Sequence, residues 1–152
     1  VIYHGKSACD ALEAAEKIEL TPAERRIVML EGYATEQYRC TAGILTNGCG
    51  QTGEWIARPF RDSFMHHVER AKARFNDWRT YPEYLKTELI QAEYRGDLGQ
   101  SPKAISFIRA GLWEAAANEF LNSAEYRNPA TPKQIKRRML AVHYALRLRA
   151  QQ

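Results

Sequence analysis

The chain has 152 residues, a net charge of +4, 45% hydrophobic and 26% charged residues, the make-up of a folded domain that can bury a core without staples. No apolar run approaches the roughly 20 residues that span a bilayer, and Cys9, Cys40 and Cys49 show no C-x-x-C or histidine-paired spacing of a zinc site or disulfide scaffold. The positive balance favours polyanions such as nucleic acid, acidic membrane surface or wall polymers without choosing among them.

From Ser7, "SACDALEAAEKI" puts Ala8, Leu12, Ala15 and Ile18 on one helical face with Ser7 as cap. In "TPAERRIVMLEG", Thr21 caps a second helix, Pro22 suits its first turn, Glu24 completes a capping box and Gly32 ends it. Residues 36 to 53 change character, with Tyr38, Ile44 and Leu45 among threonines and glycines. Asn47-Gly48 signals a turn, so a small twisted hairpin is expected. Helical periodicity returns in "RPFRDSFMHHVERAKARFNDW" and "PEYLKTELIQAEY", breaks at "RGDLGQSP", and resumes through "SPKAISFIRAG", "LWEAAANEFLNSAEY" and "TPKQIKRRMLAVHYALRLRA". Thr131, Pro132 and Gln134 spell a second capping box. The expected fold class is α+β, a single domain over 1–152 with a small β lobe at about 32–56 and a larger helical lobe made of the N-terminal helices and about 57–152. A cleft between such lobes is a natural ligand site.

Glu31, at the carboxyl end of the second helix, is followed after eight residues by Cys40 and after five more by Thr46. This spacing resembles the signature of the phage-type lysozymes (glycoside hydrolase family 24, the family of bacteriophage T4 lysozyme and related endolysins): a glutamate, eight residues, an aspartate, five residues and a threonine. Their pattern continues into Gly-x-Gly-His-Thr-Gly, and "TNGCGQTG" supplies Thr46, Gly48, Gly50, Thr52 and Gly53 in register. "AGLWEAAANEFLNSAEY" and "TPKQIKRRMLAVHYA" are similar to the family's last helices. Residues 22–56 and 105–147 match in order, whereas 57–100 match only in being helical. Two positions depart from the pattern: Cys40 stands in the aspartate's place and Gln51 in the histidine's.

The chemistry suits these residue types. Cleaving a glycosidic bond needs an acid to protonate the departing oxygen, and a carboxylate or positioned water to meet the cationic sugar. A glutamate stays protonated for that task where apolar surroundings or a negative neighbour raise its pKa, and Glu31 follows Val28, Met29 and Leu30. A thiolate at Cys40 would be anionic and polarizable in the aspartate's stead. The resemblance implies a lysozyme-like fold and an inverting N-acetylmuramidase that cuts the β-1,4 bond between N-acetylmuramic acid and N-acetylglucosamine. In it Glu31 is the acid, Cys40 the carboxylate's stand-in and Thr46 the water holder. It also implies peptidoglycan strands as substrate, no cofactor, a monomer, and synthesis in a bacterial host's cytoplasm with action on the wall in the periplasm. Some endolysins that resemble this chain carry the same cysteine and are held inactive by a disulfide that engages it. Cys9 and Cys49 are candidate partners for such a bridge; the plainer expectation is three reduced thiols, with Cys9 and Cys49 packed as small hydrophobes.

Elsewhere the residues read as structural. His66 and His67 are adjacent and diverge on a helix, unlike a metal-binding i, i+4 pair, so no metal is expected. Trp55, Phe64, Phe75, Trp78, Tyr84, Trp113 and Phe120 fall mostly on apolar helix faces and read as core. Arg95-Gly96-Asp97 reads as a helix stop. From Arg127 to Gln152 there is no acidic residue, which reads either as a solvated helix face or as an attraction to anionic wall polymers. Two rival readings follow: a basic helical nucleic-acid module, which leaves residues 31–53 unexplained and lacks interleaved stacking aromatics, and a lysozyme fold that binds wall glycan without cutting it.

Overall fold

The computed structural model describes residues 1–152 and divides into two compact units, Val1–His66 and His67–Gln152. The chain runs β1 (Ile2–Tyr3), α1 (Gly5–Glu16), α2 (Pro22–Glu31), β2 (Tyr33–Arg39), β3 (Leu45–Gly48), β4 (Gln51–Thr52), α3 (Phe60–Arg74), α4 (Glu83–Arg95), α5 (Pro102–Arg109), α6 (Trp113–Phe120), α7 (Ala124–Arg127) and α8 (Lys133–Ala150). A minor antiparallel sheet of order β1-β2-β3-β4 accompanies eight helices, the expected α+β class. No helix is long and apolar enough to cross a membrane.

In the first unit, α2 begins as its sequence dictates. The Thr21 hydroxyl accepts from the Glu24 N–H, the Glu24 side chain accepts from the Thr21 N–H, and Pro22 occupies the first turn. Gly32 stops the helix at φ 79°, in a conformation that costs a side chain but not glycine. α1 departs from its expected bounds: it starts at Gly5 with His4 at the cap, so Ser7 lies inside the helix. Its buried face is Ala8, Cys9 and Leu12, whereas Ala15 is exposed and Ile18 lies beyond the helix. Ile27, Val28, Ala34, Cys49, Phe60 and Phe64 complete this unit's core.

Glu24 is buried with its carboxylate gripped by Arg61, Nε to Oε2 at 2.7 Å and Nη2 to Oε1 at 2.8 Å. Burial works to raise the Glu24 carboxyl, but the hydrogen bonds from Arg61 and Thr21 outweigh it and hold the group below its ordinary value. A carboxylate depressed in the folded state stabilises the fold above its unfolded pKa of about 4.3, and that contribution disappears as pH falls through the folded value. Glu24→Gln is therefore expected to lower the melting temperature at neutral pH. The gap from the parent should close on acidification below about pH 4, as followed by circular dichroism.

In the second unit, α8 packs on α4 and α6. Leu85, Leu89, Ile108, Ala116, Phe120, Val142 and Leu146 form its core, with Phe75, Trp78 and Tyr81 in aromatic contact. Burial first, then Asp77, pushes the Tyr81 phenol up to about 12. The buried amide of Gln91 donates to the Arg138 carbonyl at 2.9 Å and accepts from Arg138 Nε at 3.1 Å, so a polar pair inside the core is mutually satisfied. Two expectations fail here. The Thr131 hydroxyl donates to the Glu125 carbonyl instead of capping, and α8 starts after Pro132 with no side-chain cap. The segment after Phe120 leaves the helix and re-forms as the separate turn α7, capped by Ser123. Gly96 ends α4 with Arg95 paired to Asp97 and Glu125, so the Arg-Gly-Asp triplet is indeed a helix stop.

Candidate active site

The residues singled out by spacing come together in the first unit. Glu31 is the last residue of α2, half-buried, and its carboxylate lies against the backbone of Gly50. A Cβ at position 50 would stand 2.6 Å from Glu31 Oε2 and 3.1 Å from its carboxyl carbon, and Gly50 has φ +63°. Glycine is required there twice over, for the turn and for the approach of the acid.

Cys40 closes β2 at a tight turn in which the Gly43 N–H donates to the Cys40 carbonyl at 2.8 Å and the Cys40 N–H to the Ile44 carbonyl at 3.0 Å. The backbone N–H groups of Ile44 and then Ala42 also point at the thiol and hold it below its ordinary pKa against a smaller opposing effect of burial. This is anion binding by successive backbone donors, which favours thiolate. Neighbouring Arg39 donates to the Gly43 carbonyl at 2.9 Å. Thr46 is 4% exposed and its hydroxyl donates to the Ile44 carbonyl at 2.9 Å. With its proton committed, that oxygen is left as an acceptor for a water.

Cys9 and Cys49 are fully buried, and no disulfide joins Cys9, Cys40 or Cys49 to one another. Burial chiefly pushes the Cys9 thiol up. Iodoacetamide is therefore expected to alkylate Cys40 first in the native protein, and faster at neutral pH than it alkylates a free cysteine peptide. Cys9 and Cys49 should react only on unfolding, and peptide mass mapping reads the order.

Two residues join the site that spacing alone did not mark. Tyr38 stands directly opposite Thr46 in the β2–β3 register, so the two side chains share a face. Its phenol is pushed up by burial first, then by the nearby charges of Glu31, Cys40 and Cys49. The second is Gln51, which sits where the resembling family has histidine and is almost wholly buried. Its amide accepts from the Cys49 N–H at 3.2 Å and donates to the carbonyls of Trp55 at 3.0 Å and Arg58 at 2.7 Å, folding back over Gly48. Gln51 thus pins the β3–β4 turn that carries Gly50. Gln51→Ala strands three backbone groups and is expected to cost about 2–3 kcal/mol in a urea titration.

The Asn47-Gly48 pair is not the centre of its turn. Both residues end β3, Asn47 pairs with Gln51, and the turn proper passes through Cys49 and Gly50. Asn47 faces away from Thr46, and its side chain accepts from the Ala57 N–H at 3.3 Å. A concavity of about 610 Å³ on that opposite face is lined by Glu16, Tyr33, Asn47, Arg58 and Arg61, with none of Glu31, Cys40 and Thr46 among its walls. Trp55, expected in the core, is half-buried under the Arg58 guanidinium, 4.4 Å from the ring centre.

No protein-family model and no curated protein matches this sequence. Among solved structures, the P1 phage endolysin Lyz in its active form superposes with a TM-score of 0.62 over 90% of this chain and 89% of that one, at 16% sequence identity. At that identity the likeness is one of fold: this chain folds as that lysozyme-like endolysin does.

Proposed function

We propose that the protein is a peptidoglycan-degrading muramidase of the endolysin type, cutting the β-1,4 bond between N-acetylmuramic acid and N-acetylglucosamine. The observation that carries the reading is local. A half-buried helix-end carboxylate is seated on a glycine of the β3–β4 turn, in the sheet whose β2–β3 turn presents a hydrogen-bonded thiol and whose β3 carries a proton-committed threonine. The fold shared with an endolysin supports it.

In this reading Glu31 gives its proton to the glycosidic oxygen as the bond breaks. The attacking water donates a hydrogen bond to Thr46 Oγ1, whose own proton stays with the Ile44 carbonyl. Cys40, whose thiolate form the backbone N–H groups favour, orients that water or offsets the positive charge on the sugar. Tyr38, on the face of Thr46, lies within electrostatic reach of both acid and thiol.

Muropeptide analysis of digested cell walls tests the assignment. New reducing ends at muramic acid, absent with Glu31→Gln, are the expected result. Anhydro-muramic ends would instead identify a lytic transglycosylase, and an unchanged wall that still retains the protein would mean glycan binding without cleavage.

A further inference from the structure

The second unit holds a concentration of positive charge that the proposed hydrolysis does not use. Arg70 and Arg74 lie one turn apart on α3, and Arg109 is the last residue of α5. With Ala73 these three line a concavity of about 240 Å³, smaller than the roughly 300–1,000 Å³ of a drug-sized ligand site and suited to a single ionic group.

Their structural duties account for only part of each guanidinium. Glu93, buried at 4% exposure, is already satisfied by Arg74 alone, which forks onto it through Nε to Oε2 at 2.6 Å and Nη2 to Oε1 at 3.2 Å. Arg70 adds only its Nε to Oε1 at 3.2 Å. Arg109 spends its Nε on the Arg74 carbonyl at 2.6 Å, closing the end of α3. The terminal nitrogens of Arg70 and Arg109 therefore have no protein partner. Glu69, which could have neutralised its neighbour Arg70, is turned to Lys72 at 3.5 Å. Three permanent cations thus border a small hollow beside one buried carboxylate, which Arg70 and Arg74 touch and Arg109 does not, and the Nε bonds fix the guanidinium planes of Arg70 and Arg109 with their terminal nitrogens left over. Planar forks held in place match the oxygens of a tetrahedral oxyanion better than they match chloride.

From this geometry we infer that Arg70, Arg74 and Arg109 form a binding site for a phosphate group, met either as free inorganic phosphate or as the headgroup of an anionic phospholipid. The site is independent of the muramidase reading, because none of its residues belongs to the Glu31 cluster.

Calorimetric titration of the full chain with inorganic phosphate tests it, alongside Arg70→Gln/Arg109→Gln and the control Arg79→Gln, which removes an exposed charge elsewhere in the unit. Arg74 is kept so that Glu93 stays paired, and equal melting temperatures verify the fold. The expected result is saturable binding with a dissociation constant of about 1 mM at low ionic strength, weakened about tenfold or more in the double variant and unchanged in the control. Co-sedimentation with phosphatidylcholine vesicles, with and without phosphatidic acid, distinguishes the sources. Retention on phosphatidic acid that the double variant loses assigns the lipid headgroup, and phosphate binding without retention assigns the free ion. Absence of saturable phosphate binding, equal binding by the double variant, or an equal loss in Arg79→Gln overturns the site.

Discussion

Glu31→Gln is expected to lower the rate of peptidoglycan solubilisation by about 10²–10⁴-fold, the range a positioned general acid contributes, while leaving the melting temperature within a degree or two of the parent. The amide keeps the shape and hydrogen-bonding reach of the carboxyl but has no proton to give to the departing oxygen. Glu31 is half-buried and sits at the helix end beside a glycine, not inside the hydrophobic core, and the amide fills the volume of the carboxyl, so the exchange leaves the packing around it in place. Turbidity loss of a wall suspension reads the rate and calorimetry reads the fold. Retention of more than about a tenth of the parent rate would remove Glu31 from the acid's role, because no other route supplies a group with that size of effect.

Gly50→Ala tests the same acid from the opposite side. The new methyl would stand 2.6 Å from Glu31 Oε2, and the residue would have to hold φ +63°. The backbone term costs about 1–2 kcal/mol for a residue with a side chain. Glu31 can escape the methyl only by moving its carboxyl, and a displacement of about 1 Å in a reacting group costs about 10²-fold. The variant is therefore expected to lose both stability and turnover, with substrate retention on isolated walls less affected than rate. Gly43→Ala, also at positive φ but with nothing within 4 Å of its Cβ, should show the stability loss without the catalytic one. Comparable rate losses in the two variants would mean that Gly50 matters only to the turn.

How much of this was legible before the structure differs from residue to residue, for physical reasons. Thr21, Pro22, Glu24 and Gly32 announced α2 because a capping box and a glycine stop are satisfied within a few residues of chain. Thr131 and Gln134 spelled the same box and failed, because the Thr131 hydroxyl found the Glu125 carbonyl, a competitor contributed by another element. Asn47-Gly48 carried a turn signal that the structure shifts by two residues. The buried Gln51 amide and the left-handed glycines at 48 and 50 set the register there, and local dipeptide preference cannot include them. The lowered pKa of Cys40 comes from the N–H groups of a turn, which have no letter in the sequence.

By itself the sequence determined the local terms: where α2 starts and stops, which stretch forms the small sheet apart from its added strand Ile2–Tyr3, and that an acid, a thiol and a threonine stand at chemically suggestive spacing. Tertiary structure alone decided which groups meet: Glu31 on Gly50, Tyr38 across from Thr46, Gln51 on three backbone groups, and Arg74 and Arg109 joined over 35 residues of chain. Caps and periodicity are energies between neighbours along the chain. The site is made of through-space contacts and of backbone dipoles aimed by strand register, and these exist only once the chain has folded.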